Sequence, residues 1–140
     1  MKFRHAFDVP TDIVREPGAK QVTIRRLIDT PDGADRFLMS LFELSENGAT
    51  PPHFHDWEHE IYVLSGSLHV DLPAEGKHVP LKVGDVVFIP RGEQHGLATG
   101  PGETVRLLLV APAERPPVRS VFLSEEPYEF DAAATEDSNR

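Results

Sequence analysis

Residues 51 to 66, PPHFHDWEHEIYVLSG, carry three of the seven histidines of the chain, His53, His55 and His59, with Glu58 and Glu60 beside them. On an extended strand, residues i and i+2 face the same way with Cα atoms roughly 6.5–7 Å apart. Imidazoles at that separation can lean onto one metal ion through bonds of about 2.0–2.1 Å. Counting on from His53 and His55, the odd positions share a face, which favours His59 over Glu60 as the third ligand. The bend at Asp56-Trp57 can reset that parity, so both remain candidates at this point.

The elements that must position these groups are strands. The chain has 140 residues, enough for one domain with one core. Its 13 prolines and 10 glycines separate short apolar runs, the pattern of an all-β protein. QVTIRRLID (21 to 29) and RFLMSLFELS (36 to 45) read as strands joined by a turn at Pro31, Asp32 and Gly33. Asn47-Gly48 reads as a further turn. Residues 60 to 72 read as a hairpin turning at Ser65-Gly66, with His69 on its solvated face and His78 at the surface beyond it. LKVGDVVFIPRGEQHGLAT then gives a turn, a strand, a second turn and a strand led by His95, and ETVRLLLVAP and VRSVFL complete the set.

Residues 1 to 19 are an N-terminal arm with too few apolar residues for a core of its own, with a short strand around Phe3 to Val9 and a solvated His5. Residues 20 to 123 are the barrel. Residues 124 to 140 are an acidic tail that serves solubility, frayed at its end, with Tyr128 and Phe130 as anchors for its first half.

The formal net charge of -9 argues against binding nucleic acid or an anionic membrane through bulk electrostatics. No cysteine is present, which excludes disulfides and thiol catalysis and permits a reducing compartment. The start, MKFRHAFDVPTD, lacks an apolar signal core, and no apolar run approaches a membrane span. The simplest placement is cytoplasmic.

Two separated stretches resemble the paired motifs of the cupin superfamily. The first reads Gly48, His53, His55, His59 or Glu60, Gly66; the second reads Gly84-DVVFI-Pro90-Arg91-Gly92-EQ-His95. Both stand in the family's order, and the resemblance spans roughly residues 20 to 112. Four residues rather than five separate Gly48 from His53, and Thr99 stands where many members carry asparagine. The wording HxHxWEHEIYVLxG is most similar to small single-domain cupins, among them manganese-binding members whose ion sits among four histidines. That similarity implies His53, His55, His59 and His95 as ligands; members resembling quercetin dioxygenases and germins use the glutamate at the position of Glu60. It also implies a single jelly-roll barrel and a homodimer, to which the arm suits strand exchange.

A four-imidazole site leaves the full +2 charge of one divalent transition metal in the pocket and favours an anionic or enolate oxygen as the arriving ligand. Manganese or iron is favoured, with nickel, copper and zinc also compatible with imidazole. The expected function is a metal-dependent oxygenase holding a small chelating organic substrate and O2 side by side. A non-catalytic metal or ligand-binding barrel, or a metal-dependent isomerase or decarboxylase, uses the same residues. Glu58 or Glu60, whichever is not a ligand, would hydrogen-bond a ligating imidazole. Trp57 is expected to pack over the rim and exclude water. Phe37, Met39, Tyr62 and Leu108 are expected in the core, with pocket lining as the alternative, and Arg91 and Gln94 in solvent rather than on substrate.

Overall fold

The computed structural model describes residues 1–115 and 121–123. The runs rich in branched and aromatic residues do form strands, because such side chains pack on a pleated surface between Pro/Gly punctuation. In chain order these are β1 (Asp12–Ile13), β2 (Lys20–Ile28), β3 (Phe37–Phe54), β4 (His59–Leu72), β5 (Lys77–Lys82), β6 (Val86–Ile89), β7 (His95–Ala98), β8 (Val105–Pro112) and β9 (Val121–Phe122).

Two long strands close the barrel. The first half of β3 pairs with β2 and β8, and its second half with β7. Likewise the first half of β4 pairs with β6 and β8, and its second half with β5 and β7. Because β3 and β4 each reach both β7 and β8, the sheet returns on itself as an all-antiparallel jelly-roll barrel. Alternation along each strand sends one face inward: Ile61, Val63, Leu68 and Val70 of β4 meet Leu44, Leu97 and Leu107 in the core. Among the described residues no helix is long and apolar enough to cross a membrane.

Two expected turns are strand interior instead. Asn47-Gly48 lies within β3, with Asn47 at φ 56°. A Cβ on Gly48 would stand 2.8 Å from the carbonyl oxygen of Ser45, so the backbone passes too close there for a side chain. Thr99 braces this kink: its Oγ1 accepts from the Gly48 amide at 2.9 Å and donates to the Ser45 carbonyl. The kink redirects β3 from one side of the barrel to the other, which a hairpin would not do.

Ser65-Gly66 is likewise no hairpin. β4 runs straight through it, and the left-handed φ of 77° at Gly66 serves a bulge against β8, marked by a register shift between Val63 and Ser65. A side chain on Gly66 would collide with the Thr104 carbonyl. A Gly signal inside a strand pattern is shared by turns and bulges, and the barrel's curvature decides between them.

The N-terminal arm lies along its own barrel, where Asp12 and Ile13 pair with Ile24 and Thr23 of β2. Its helical turn at Ala6–Asp8 replaces the short strand expected near Phe3 to Val9. Phe7 sits under two guanidiniums, those of Arg25 at 5.2 Å and Arg106 at 4.8 Å, and Arg25 also donates to the Val9 carbonyl at 2.7 Å. The acidic tail, with Tyr128 and Phe130, lies outside the described residues, as does the first part of VRSVFL.

Candidate metal centre

Pro51 and Pro52 hold the end of β3 extended, and the strand alternation then turns His53 and His55 to one side. Register brings the partner from the second motif: His53 is directly opposite His95 on β7. The rings of His53 and His95 are 4.5 Å apart, those of His55 and His95 5.1 Å, and those of His53 and His55 5.4 Å. One ligating atom from each of the three lies within 4.8 Å of the others, and all three residues are buried. Gly96, next to His95, allows this approach, since a Cβ there would stand 2.9 Å from the Thr50 carbonyl.

Local carbonyls set the orientation of each ring. Nδ1 of His53 meets the Pro51 carbonyl at 2.8 Å, Nδ1 of His55 the Trp57 carbonyl at 2.7 Å, and Nδ1 of His95 the Glu93 carbonyl at 2.8 Å. A carbonyl can only accept, so each Nδ1 carries a proton, and in the neutral ring each Nε2 then holds a lone pair. Nε2 of His55 is buried without a hydrogen-bond partner. Three neutral imidazoles whose free nitrogens face one another, one of them orphaned, fit a divalent metal ion. Glu58 and Glu60 are exposed and take no part in this; carbonyls rather than carboxylates fix the tautomers.

His59 stands at the edge of this group. Its ring is 4.4 Å from that of His55 and 6.4 Å from that of His95, and its Nε2 accepts a hydrogen bond from the Trp57 indole at 3.1 Å. Trp57 stacks on His55 at 4.4 Å with the planes 5° apart. Burial pushes the His59 imidazole down to about 2 and that of His95 down to about 4, and lowers His55 as well. The neighbouring imidazoles and Arg115 push His59 the same way. His55, His59 and His95 are therefore neutral, as metal ligation requires.

The cluster opens into a cavity of about 890 Å³. His53, His55, His59 and Trp57 form one end; Leu38, Ser40, Phe42, Leu109 and Ala111 form a wall; and residues 12 to 17 of the arm form another. Phe122 stacks on His53 at 5.2 Å.

The family model for the cupin domain matches residues 40–111, half of the chain and both histidine motifs. The chain belongs to the cupin family. Its fold is similar to that of the polyketide cyclase RemF from Streptomyces resistomycificus, with 64% identity, a TM-score of 0.85, and 91% of this chain and 90% of that one covered. A cupin-2 domain protein from Rhodospirillum rubrum shares the fold at 21% identity, with a TM-score of 0.72 and 89% and 81% of the two chains covered. KdgF from Halomonas sp. does so at 20% identity, with a TM-score of 0.64 and coverage of 81% and 96%. A comparison with curated proteins finds no match.

In this cupin the lining is of opposite parity to the residues considered from sequence. Phe37 and Tyr62 are 70% and 47% exposed, on outward faces, and neither packs in the core nor lines the cavity. Arg91 is at the surface, 3.4 Å from Asp56, and away from the cavity. His69 and His78 are not solvated: their side chains are 14% and 16% exposed, facing Glu103 at 3.3 Å and Asp71 at 3.7 Å. Residues 12 to 17 of the arm, Arg26 and Arg115 line the cavity although the sequence did not assign them to it, because nothing local in the sequence marks a residue as facing a cavity made by distant strands.

Proposed function

We propose that this cupin is a metal-dependent cyclase that closes rings in poly-β-ketone chains. The observation that carries this reading is the 64% identity to a polyketide cyclase, sustained over nine-tenths of both chains. The cavity supports it: about 890 Å³ is ample for a drug-sized ligand, ligand pockets running to roughly 300–1,000 Å³. A divalent ion held by His53, His55 and His95, with His59 as a fourth donor, would supply Lewis-acid polarisation of a ketone oxygen. For His59 to serve, Nε2 must exchange the Trp57 indole for the ion, or the ring must present Nδ1.

The reaction class needs no oxidant. A methylene between two ketones gives up a proton, its carbon adds to a distant carbonyl carbon of the same chain, and the resulting hydroxyl leaves as water. This protein's side chains bind and shape: Leu38, Phe42, Leu109 and Ala111 fold a flexible chain against an apolar wall and exclude water from it. Trp57 covers His55 and limits access of solvent to its ring.

A metal-dependent oxygenase would use the same histidines, and oxygen uptake separates the two readings. Metal-loaded protein given a synthetic linear tetra-β-ketone should yield a product lighter by one water per ring, with no O2 consumed. Unchanged substrate from protein holding one metal ion per chain would overturn the cyclase reading, and stoichiometric O2 consumption would favour the oxygenase. A homodimer belongs to the same proposal, since Tyr62, Leu64, Val86 and Phe88 leave an exposed apolar patch on β4 and β6. Light scattering giving the mass of one chain would remove it.

A further inference from the structure

Three arginines line the cavity, Arg15, Arg26 and Arg115. Two share one carboxylate: Nη1 of Arg15 lies 3.0 Å from Asp12, and Nη1 of Arg26 lies 3.3 Å from it. Arg115 differs. Among the described residues no carboxylate comes within ion-pair distance of it; Nε donates to the Pro112 carbonyl at 3.1 Å, and its guanidinium stands 5.5 Å over the Trp57 ring. Among the described residues only one of its five N–H groups is engaged in a hydrogen bond. Because Trp57 stacks on His55, the indole ties this cation to the histidine cluster.

A guanidinium resting on an aromatic face keeps its N–H edge available for a planar, delocalised anion. Asp12, Glu16 and Asp29 also line this cavity, so its attraction for an anion is local to the Arg115 edge, which meets no carboxylate among the described residues. We propose that Arg115 is the anion-recognition residue of the cavity, gripping an acidic oxygen of the substrate beside Trp57. The shared chemistry is a planar oxyanion, found in a deprotonated β-diketone and in a terminal carboxylate. The proposal rests on the cyclase reading only for the identity of that substrate.

Trp57 is the only tryptophan, so its fluorescence reports on ligands in this cavity. Metal-loaded wild-type, Arg115→Gln and Arg115→Lys proteins would be titrated with dimedone, a β-diketone that is anionic at neutral pH, and with benzoate. The methyl enol ether of dimedone and benzamide serve as neutral partners. Arg115→Gln should weaken the anions about tenfold, the effect of losing one charge-assisted hydrogen bond, and leave the neutral probes unchanged. Arg115→Lys should fall between, keeping charge without the planar fork. A response with dimedone alone identifies the diketone anion as the ligand, and one with benzoate alone the carboxylate. Equal titrations of both anions by Arg115→Gln and wild type would overturn the proposal, even if ring closure proceeds. Arg115-dependent anion binding without ring closure would sink the cyclase reading and leave this inference standing.

Discussion

Two groups of histidines sit on this barrel, and they are arranged differently. At the cavity, His53, His55 and His95 each bind a backbone carbonyl through Nδ1, and their free nitrogens converge. On the face of β4 and β5 turned from the core, His69 faces Glu103 and His78 faces Asp71, and the two imidazoles also act on each other. Both groups are largely buried, so burial does not distinguish them. What does is the partner of the second nitrogen. A carbonyl fixes the tautomer without adding charge, and leaves a lone pair and a neutral pocket for a divalent ion. A carboxylate brings a negative charge to the ring instead. Among the described residues, only the first group brings three ligating atoms within 4.8 Å of one another.

The contrast breaks most sharply on metal content. His53→Ala with His55→Ala should abolish binding of one divalent ion per chain, whereas His69→Ala with His78→Ala should leave it intact, as measured by elemental analysis after gel filtration. Retention in the first double variant, or loss in the second, would reverse the assignment. The pH at which metal is lost follows from the same geometry. Protons compete for the His95 and His59 nitrogens only well below the ordinary histidine range, since His95 is held at about 4 and His59 at about 2. His95 should therefore stay available as a ligand as pH falls through the ordinary histidine range, and metal should be lost once pH falls below about 4.

The metal-free protein should show the cost of the buried, neutral cluster. An unfolded chain protonates His95 near 6.5, while the folded one resists until about 4, so the unfolded state gains protons across that window. Stability is then full above 6.5 and declines as pH falls toward 4, by roughly 3 kcal/mol from His95 alone. His59 extends the decline toward 2. Urea midpoints of stripped protein at pH 7 and 4.5 test this; a slope unchanged by His95→Gln would remove the cluster as its source.

Much of this was legible before any coordinates. The pairing of His53 and His55 followed from the period of a strand, and His95 from the resemblance of two spaced motifs to a known family. The strands over 20 to 28 and 105 to 112 followed from apolar runs between turns. The errors have a common cause. Gly48 and Gly66 read as turns because a glycine needing left-handed or crowded backbone looks alike in a hairpin and in a bulge. The solvated reading of His69 failed because Glu103, 34 residues away by number, comes back onto β4 through the turn before β8. Cavity lining failed for the same reason: which face of β3 looks inward depends on how β3 bends, and the bend is a tertiary property.

Those two glycine sites divide the two histidine groups. β4 carries His59 at its start and His69 beyond Gly66, so Gly66 lies between them. Gly66→Ala must place a methyl group on the Thr104 carbonyl at positive φ, which should cost about 2–3 kcal/mol. The loss should be visible as a lower urea midpoint. Thr99→Ala removes the brace on the β3 kink that carries His53 and His55 toward His95. That should cost about 1–2 kcal/mol and weaken metal binding. A Thr99→Ala protein of wild-type metal affinity would show that the kink holds without it.

The smallest effect belongs to the second group. Glu103 accepts from Ser67 Oγ at 2.7 Å and from the Gly100 amide at 2.9 Å, so it stays anchored when His69 is absent. Burial lowers the His69 imidazole against the pull of Glu103, which makes the pair one of neutral imidazole and carboxylate rather than two charges. His69→Gln keeps a polar side chain of similar reach beside that carboxylate. Its cost should stay below about 1 kcal/mol, within the range of a single neutral hydrogen bond, with metal content unchanged. A loss several times larger would mean that His69 is charged in the folded protein and that the pair is a buried ion pair, because breaking one of those costs about 3–5 kcal/mol. In that case the partner of the second nitrogen would govern protonation as well as ligation, and the two groups would differ in charge state, not only in arrangement.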